Sequence, residues 1–389
     1  MAGQAQSGGA DYGPEDMTTI IPERITRLIA RCQREVDEGR IPGCQVALGF
    51  EGEIVLFEAF GDLTTDQRLH TYSAIKPTVS LTVLELAAEG LLDLGAPVST
   101  VLPSFGSNDK AAITLSQVLL HAGGFPHAPL GLSEFSDRNA RLARYSGWRT
   151  TWEPGSAFEY HASSAHWVLA DCITEVTGRH HADVITERVM APAGCSRWLA
   201  IPEDDQANIA DVVTVGEAPD LEAMAAQFGI ESMPTTEVTD DALLVFNEPS
   251  IRAAGHPGGG GVCSAAEMAL WYQAVMHDDG GFLRPEVKQD ALDVVRQHHV
   301  DWMGTGANRS HAFTIGGADG QALMRGYGHT TGPRAFGHGG AKGQRGWGDP
   351  NSGLSLGFMT HGLDRDDLVH ARRGAGVSSA AGSCTTPIG

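Results

Sequence analysis

The spacing of apolar residues changes along the chain, and each spacing predicts a different element. In the first segment, apolar residues recur at the three- and four-residue steps of one helix face: Ile25, Leu28, Ile29, Cys32 and Val36. Two apolar runs follow at 44–50 and 54–60, with a short Glu-Gly-Glu link between them. Runs of this length around a short polar link predict a β-hairpin. The chain is therefore expected to open with a helix and two paired strands.

Later segments predict a helical middle and a return to strands. A long apolar run at 79–90 predicts a helix that a glycine ends. Another helix is predicted to begin near Ser163 or Ser164 and to end at Gly178. Residues 200–255 are acidic with little periodicity, which predicts an irregular insertion that lines or covers the mouth of a site. Strands at both ends with helices between them predict an α/β subdomain that encloses an all-helical one.

The start of the run at 79–90 carries candidate chemistry in the stretch Ser73-Ala-Ile-Lys76. Residues three apart on a helix share a face, so Lys76 is expected beside the Ser73 hydroxyl. Free backbone N–H groups at a helix start can hold a developing oxyanion. A buried lysine near the positive end of the helix dipole loses its proton more easily. Serine, neutral amine and oxyanion donors together predict a serine acyl-transfer site.

Two similar patterns elsewhere in the chain are predicted to be unrelated to catalysis. The chain has four lysines, and Lys110 also carries a serine three residues upstream, Ser107. No apolar helix directly follows it, so this stretch is predicted to be a solvated loop. Residues 353–357 match Gly-x-Ser-x-Gly, the nucleophile elbow of α/β-hydrolases, which is a sharp strand-to-helix turn. Ser355 lies instead within an alternating apolar run, which predicts a continuing strand.

Two further segments complete a pattern with Ser73 and Lys76. A Pro-Gly turn leads to a short extended piece that ends at Tyr160, ahead of a helix, and His338 begins His-Gly-Gly in a late glycine-rich strand. Ser-x-x-Lys, this tyrosine and His-Gly-Gly resemble the three motifs of the penicillin-binding protein and serine β-lactamase superfamily. The closest resemblance is to the class C β-lactamase-like branch, which includes the family VIII carboxylesterases and related acyltransferases. It covers roughly residues 22–362.

The resemblance implies a role for each matching residue of the reaction centre. Ser73 would be the nucleophile, and Lys76 would deprotonate it or tune its base. Tyr160 would act as a phenolate or hydrogen-bonded base and later protonate the leaving group. The backbone N–H groups of Ser73 and Ala341 would form the oxyanion hole. A buried tyrosine with a satisfied hydroxyl is the structural alternative for Tyr160.

The resemblance also implies a substrate-binding strand. His338, Gly339 and Gly340 occupy the position where many relatives carry Lys-Thr-Gly, and a structural strand histidine is the alternative for His338. Trp347 is expected either to line the acyl pocket or to pack in the core. Relatives that cleave β-lactams usually carry asparagine two residues after the motif tyrosine, and here that residue is Ala162. A small apolar side chain there suits an ester, which has no acyl amide to bind.

The implied fold class is α/β, of the β-lactamase/transpeptidase-like type, with an antiparallel sheet flanked by helices plus an all-α subdomain. The expected organisation runs as follows: a flexible N-terminal tail at 1–19, a discontinuous α/β subdomain at 20–73 and 266–366, a mainly helical subdomain at 74–265 with the irregular insertion at 200–255, and a poorly ordered C-terminal tail at 367–389.

Composition and net charge restrict the classes of partner that the protein is expected to bind. The chain has 389 residues, 42% apolar content and a net charge of −21, which fits a soluble globular protein and disfavours binding to nucleic acid or an anionic membrane. We find no apolar run long enough to span a bilayer and no signal-peptide pattern, so the expected location is cytoplasmic. Six scattered cysteines are then expected to be reduced. Neither they nor the histidines have metal-ligand spacing, so we predict no metal and no cofactor.

These observations predict a serine hydrolase that cleaves small carboxylic esters through a Ser73 acyl-enzyme. Three alternatives stay open at this point. An acyltransferase or an amidase or peptidase would use the same acyl-enzyme with another acceptor or leaving group. A non-catalytic binding protein would keep the fold, although it has no need for all three of Ser73, Lys76 and Tyr160. The natural acyl group and the oligomeric state leave no trace in the sequence.

Overall fold

The computed structural model describes residues 18–233, 237–277, 281–301 and 303–386. Most of the tail predicted for 1–19 lies outside these residues. Close to the first described residue, the N–H of Ile21 donates to the Cys384 carbonyl at 2.8 Å. Ile20 forms an isolated antiparallel bridge with Thr385. The beginning and the end of the described chain are therefore joined through their backbones.

Strands occur at both ends of the chain and helices occupy most of its middle. The strands are β1 (Gly43–Phe50), β2 (Glu53–Gly61), β3 (Leu69–His70), β4 (Val213–Val215), β5 (Val262–Cys263), β6 (Thr314–Ile315), β7 (Phe336–Gly339), β8 (Arg345–Asp349), β9 (Leu354–Thr360) and β10 (Gly362–Asp364). The helices are α1 (Pro22–Asp37), α2 (Lys76–Ala88), α3 (Leu115–Leu119), α4 (Leu132–Ser136), α5 (Arg138–Tyr145), α6 (Ser164–Thr177), α7 (His181–Ile185), α8 (Leu221–Phe228), α9 (Asp240–Leu244), α10 (Pro249–Ala254), α11 (Ala265–His277), α12 (Pro285–Asp293) and α13 (Asp367–Gly382).

A large antiparallel sheet combines the two ends of the chain. Within the described residues, six strands pair in the order β2-β1-β9-β8-β7-β6. Gly43 lies opposite Gly61 in the β1–β2 pair, with a register shift at Leu48/Gly49. The predicted hairpin is therefore confirmed. Cys44 lies opposite Thr360 in the neighbouring pair, so a C-terminal strand is inserted beside the N-terminal hairpin.

Helices cover both faces of this sheet. The predicted first helix is confirmed as α1, and it packs with α13 over one face. Leu28 of α1, Trp347 of β8 and Val377 of α13 share the hydrophobic core on that side. On the other face, α11 packs against the sheet through residues such as Met268 and Tyr272. The sheet is thus buried on both faces, and every residue of β1 and β9 is buried.

The prediction of a poorly ordered C-terminal tail at 367–389 is wrong for most of that segment, because Asp367–Gly382 forms α13. The side chain of Arg373 is buried on this helix, and it donates to Glu35 at 2.9 Å and to Asp364 at 2.7 Å. The glycines in this Ser/Ala/Gly-rich sequence lower its helix propensity, so composition did not indicate a helix. Packing and buried ion pairs from distant segments stabilise the helix instead.

The helical middle of the chain is built around α2 and α6, which pack against each other. Nearly every residue of α2 is buried, as expected for a helix that is apolar on all sides. The predicted second helix is confirmed as α6, with Gly178 in the left-handed conformation at its end. Among the described residues, no helix combines the length and the apolar character needed to cross a bilayer.

The segment 200–255 is more regular than its sequence predicts. It contains α8, α9, α10 and the strand β4, which pairs in parallel with β10 near the other end of the chain. Helices of five to eight residues are too short to show a clear 3.6-residue period. The strand depends on a partner far away in sequence. For these reasons, local periodicity did not reveal the order.

Candidate active site

Ser73 lies in a single 3₁₀ turn, Tyr72–Ile75, directly before α2. Tyr72 has φ 45°, a left-handed conformation that non-glycine residues rarely adopt and that often marks functional sites. Its ring lies 5.7 Å from that of Phe246, and its hydroxyl donates to the Leu243 carbonyl at 3.3 Å. These contacts hold the strained turn and present Ser73, which is partly exposed, at the start of the helix.

Lys76 is the first residue of α2, and its side chain points back to the serine. Its Nζ lies 3.0 Å from Ser73 Oγ, 2.7 Å from the Ala162 carbonyl and 2.5 Å from the Gly258 carbonyl. The two carbonyls can only accept hydrogen bonds. A neutral amine has two N–H groups for them, which leaves its lone pair for the Ser73 hydroxyl proton. The geometry is thus suited to proton transfer from Ser73.

The surroundings of Lys76 favour its neutral form. The side chain is 1% exposed, and burial lowers its pKa to about 7. The carboxylate of Glu237 opposes this shift, and the buried Arg309 guanidinium adds to it. An amine with this pKa is substantially deprotonated near neutral pH and is therefore a usable base.

Tyr160 completes the group around Ser73. Lys76 Nζ lies 5.1 Å from the centre of the Tyr160 ring. Among the described residues, the buried phenol oxygen has no hydrogen-bond partner of ordinary geometry. Burial raises the pKa of Tyr160 to about 12, while the neighbouring Ser73 hydroxyl and Arg309 act in the opposite direction. The phenol is therefore protonated near neutral pH, which suits a proton donor better than a resident phenolate.

His338 lies on β7 with its ring centre 5.9 Å from that of Tyr160. Its Nδ1 lies 2.7 Å from the Gly339 carbonyl, so Nδ1 carries the proton and donates it. Burial, with Arg309 and Lys76 nearby, lowers the pKa of His338 well below its ordinary value. The ring is therefore neutral, and its buried Nε2 is an acceptor with no partner among the described residues.

The candidate oxyanion hole depends on a close approach between β7 and the nucleophile turn. A Cβ on Gly340 would lie 2.1 Å from the Thr71 carbonyl, so only glycine allows this approach. In the described part of the chain, the N–H groups of Ser73 and Ala341 form no hydrogen bond. Two unpaired donors on adjacent segments are what a developing oxyanion requires.

Several contributors to the site gave little signal in the sequence. The carbonyl of Gly258 holds Lys76, although the glycine-rich sequence around it does not indicate this contact. The guanidinium of Arg309 lies 6.0 Å from the Tyr160 ring centre, and it forms no ion pair with any described residue. Glu237 accepts from the Ser163 N–H at 3.1 Å. Ala162, expected to contact substrate, also contributes its carbonyl to Lys76.

Trp347 does not line the site. It is 1% exposed and lies in the core between the sheet and α13, where its Nε1 donates to Ser378 Oγ at 3.2 Å. Alternation along β8 explains this: Cβ atoms on Gly346 and Gly348 would meet residues of α11 and β7, on the opposite face. Of the two alternatives for Trp347, core packing is the one observed.

The prediction that Ser107 to Lys110 is a solvated loop is wrong for the lysine. Lys110 is fully buried, and its Nζ donates to the carbonyls of Ser107 at 2.7 Å and Trp148 at 2.6 Å. Backbone carbonyls inside a loop can satisfy an ammonium group, which sequence periodicity cannot reveal. The Ser107 hydroxyl donates instead to the Ser104 carbonyl at 3.3 Å. This second Ser-x-x-Lys pattern is a structural anchor.

Ser355 lies within β9, as predicted, and not on a turn. It is fully buried, donates to the Ala269 carbonyl at 2.7 Å and accepts from Gln273 Nε2 at 3.0 Å. We therefore expect Ser355→Ala to keep most of the ester hydrolysis predicted for Ser73, per folded molecule, while losing about 1–3 kcal/mol of stability through the unmade hydrogen bonds. Ester hydrolysis and urea unfolding measure the two effects. Loss of activity comparable to Ser73→Ala would make Ser355 the nucleophile.

A metal centre finds no support in the described ranges, which contain no group of three or more histidine, cysteine, aspartate or glutamate side chains arranged to hold an ion. All six cysteines are free and buried.

Comparisons with known proteins find relatives by sequence and by structure. Esterase EstB of Burkholderia gladioli is 27% identical over 313 residues, which span 72% of this chain and 77% of the esterase. A penicillin-binding protein homologue from Caulobacter crescentus has a similar structure, with a TM-score of 0.73 at 21% identity over 94% of this chain and 99% of the homologue. A family VIII carboxylesterase superposes with a TM-score of 0.71 at 23% identity, covering 93% and 99% of the two chains.

These structural likenesses establish a shared fold of the β-lactamase/transpeptidase-like type, with its antiparallel sheet and flanking helices. The sequence itself matches the Beta-lactamase family from residue 26 to residue 378, a segment that includes Ser73, Tyr160 and His338. Because this match extends over most of the chain, the protein belongs to the Beta-lactamase family.

Proposed function

We propose that the protein is a serine carboxylesterase that hydrolyses small carboxylic esters through an acyl-enzyme on Ser73. One observation carries the proposal: Lys76 Nζ lies 3.0 Å from Ser73 Oγ while two backbone carbonyls occupy its other hydrogen-bonding positions. The likeness to an esterase over 72% of the chain supports a hydrolase of this family. A non-catalytic binding protein would not need a lysine buried and oriented in this way.

The reaction follows from the two pKa values. Lys76 accepts the Ser73 proton as Oγ attacks the ester carbonyl, because its pKa lies near 7 whereas that of Tyr160 lies near 12. The N–H groups of Ser73 and Ala341 stabilise the oxyanion. Tyr160 passes the proton from Lys76 to the departing alcohol. Water then attacks the acyl group, and the carboxylic acid leaves with Ser73 restored.

The experiment that tests this proposal combines turnover with mass spectrometry. Hydrolysis of p-nitrophenyl butyrate measures the activity, and a phosphonate ester traps the nucleophile. A mass increment on the peptide that carries Ser73 would support the proposal, whereas the absence of an increment on that peptide or the absence of turnover would contradict it. Faster release of p-nitrophenol on addition of an alcohol or amine acceptor would indicate an acyltransferase instead.

The proposed substrate class also predicts a weak β-lactamase activity. Ala162 offers a methyl group where an amide side chain would bind the acyl amide of a β-lactam, and its carbonyl is already bonded to Lys76. Without these hydrogen bonds, the free-energy preference for a substrate that carries the amide falls by a few kcal/mol. We expect kcat/KM for a chromogenic cephalosporin to be at least about 100-fold below that for a short p-nitrophenyl ester.

The substitution Ala162→Asn is the matched variant for this prediction. It should raise the cephalosporin rate relative to the ester rate, since it restores an amide at that position. Comparable kcat/KM values for the two substrates in the wild-type protein would contradict the esterase assignment and favour a β-lactamase.

We further propose that the enzyme acts in the cytoplasm on small-molecule esters, without nucleic acid, membrane or cofactor. The free state of all six cysteines supports a reducing compartment. The net charge of −21 opposes binding to nucleic acid.

A further inference from the structure

A second serine, outside the site around Ser73, is hydrogen-bonded to a histidine and an aspartate. Ser116 lies on α3, and its Oγ is 2.8 Å from Nε2 of His311. The other ring nitrogen, Nδ1, is 2.6 Å from Oδ2 of Asp290 on α12. These distances lie in the range for a nucleophile, a base and a group that orients the base. None of the three residues hydrogen-bonds to Lys76 or Tyr160 within the described structure.

The hydrogen bonds fix which nitrogen of His311 is the base. The carboxylate of Asp290 can only accept, so Nδ1 carries the proton and Nε2 presents its lone pair to the Ser116 hydroxyl. Arg296 Nε also donates to Asp290, at 2.8 Å. Although burial favours the protonated acid, His311 and Arg296 hold the pKa of Asp290 below its ordinary value. The aspartate is therefore ionised and can stabilise a protonated imidazole.

A cavity lies on the Asp290 side of this group. It has a volume of about 470 Å³, and its wall combines the aliphatic side chains of Leu84, Leu92 and Val287 with the acidic residues Asp93, Glu286 and Asp290. Leu94 also lines it, and the Leu94 carbonyl accepts from the Ser116 N–H at 2.9 Å. Ser116 itself is partly exposed. The cavity therefore meets this group at Asp290, and neither Ser116 nor His311 forms part of its wall.

The backbone N–H groups around Ser116 are not free to stabilise a developing oxyanion. The N–H of Leu115 donates to the Ala96 carbonyl at 3.3 Å, that of Ser116 to Leu94, and that of Gln117 to Thr114 Oγ1 at 3.2 Å. The donors around Ser116 are therefore already used, and no ready oxyanion hole lies in its own turn. A serine in this setting can react with an activated electrophile, but it lacks the oxyanion stabilisation that rapid turnover of an ordinary ester requires.

We propose that Ser116, His311 and Asp290 form a second nucleophilic site that reacts with small, activated acyl or phosphoryl compounds and turns over slowly. With an activated ester, Ser116 Oγ bonds to the carbonyl carbon as His311 Nε2 takes its proton. The ester C–O bond then breaks and the alcohol leaves with that proton. Water, deprotonated by His311, later releases the carboxylic acid and restores Ser116. This proposal is independent of the function proposed for Ser73.

Diisopropyl fluorophosphate on the full-length Ser73→Ala protein tests the proposal. Oγ bonds to phosphorus, the P–F bond breaks, fluoride leaves, and the proton passes through His311 to solvent. Trypsin places Ser116 and the exposed Ser133 of α4 on the same peptide, residues 111–138. We expect fragmentation of that peptide to locate the label on Ser116, with Ser133 as an unactivated serine in the same sample.

The base is tested by a second variant. His311→Gln in the Ser73→Ala background should slow labelling of Ser116 on the order of 10²-fold or more, because the general base is lost. No label on Ser116, equal labelling of Ser116 and Ser133, or an unchanged rate in a folded His311→Gln protein would each overturn the proposal. The comparison of Ser116 with Ser133 needs no substitution at His311, so it holds even if that variant fails to fold.

Discussion

Ser73→Ala should lower kcat for p-nitrophenyl butyrate on the order of 10³-fold or more. The substitution removes the atom that forms the acyl-enzyme and leaves only substrate binding and the oxyanion donors. The fold should persist, since Ser73 is partly exposed and its hydroxyl is bonded to Lys76 alone in the described structure. Steady-state kinetics at saturating substrate, with circular dichroism to verify folding, measure the effect.

The chain supplies its own control for this experiment in Ser107. It also precedes a buried lysine by three residues, but Lys110 bonds to the carbonyl of Ser107 and not to its hydroxyl. Ser107→Ala should therefore leave kcat close to that of the wild-type protein. Wild-type rates in Ser73→Ala would contradict the assignment of the nucleophile, and so would an equal loss in the two variants.

The contrast between the two Ser-x-x-Lys patterns shows what the sequence could predict at the site. Both lysines are buried, so burial alone does not distinguish them. The difference is the backbone: Ser73 precedes a long buried helix whose first residue is Lys76, and Ser107 does not. The apolar run after Lys76 carried this information in the sequence. That is why Ser73 could be separated from Ser107 before the structure was known.

Other parts of the site could not be predicted because they depend on contacts between distant segments. Arg309 reaches Tyr160 across 149 positions of sequence in a stretch with no helical or strand period. No local sequence pattern indicates that its guanidinium is buried, or that it forms no ion pair with a described aspartate or glutamate. The same limit applies to α13, which is stabilised by the ion pair between Arg373 and Glu35 at opposite ends of the chain. Local patterns predicted elements with their own periodicity, whereas these features arise from packing.

The charge distribution around Ser73 runs opposite to that of the whole protein. The chain carries a net charge of −21, yet Lys76 and Arg309 lie buried near the phenol of Tyr160. Two cations so close together destabilise each other in a medium of low dielectric constant. Burial is the main cause of the lowered pKa of Lys76, and Arg309, which remains charged, lowers it further. Arg309 therefore helps to make Lys76 a base without touching it.

This environment leads to the last prediction, which concerns Lys76 and Tyr160. Lys76→Ala and Tyr160→Phe should each lower kcat by roughly 10²–10⁴-fold, the usual contribution of general acid–base catalysis. In the wild-type protein, kcat/KM for the ester should fall about tenfold per pH unit below a pKa of about 7, because protonated Lys76 cannot accept the serine proton. Above that pKa, the rate should level off.

Two comparisons separate this role from a structural one. Lys76→Ala should remove the fall in rate below pH 7 along with most of the rate, whereas Tyr160→Phe should keep that pH dependence at a lower rate, since the lysine remains. Lys110→Ala removes an equally buried lysine and should reduce thermal stability but not kcat of the folded protein. Near-normal kcat in Tyr160→Phe would make the phenol structural. If the rate of Lys76→Ala still falls below pH 7, another group is the base. Loss of the titrating amine must also remove its ionisation from the pH profile.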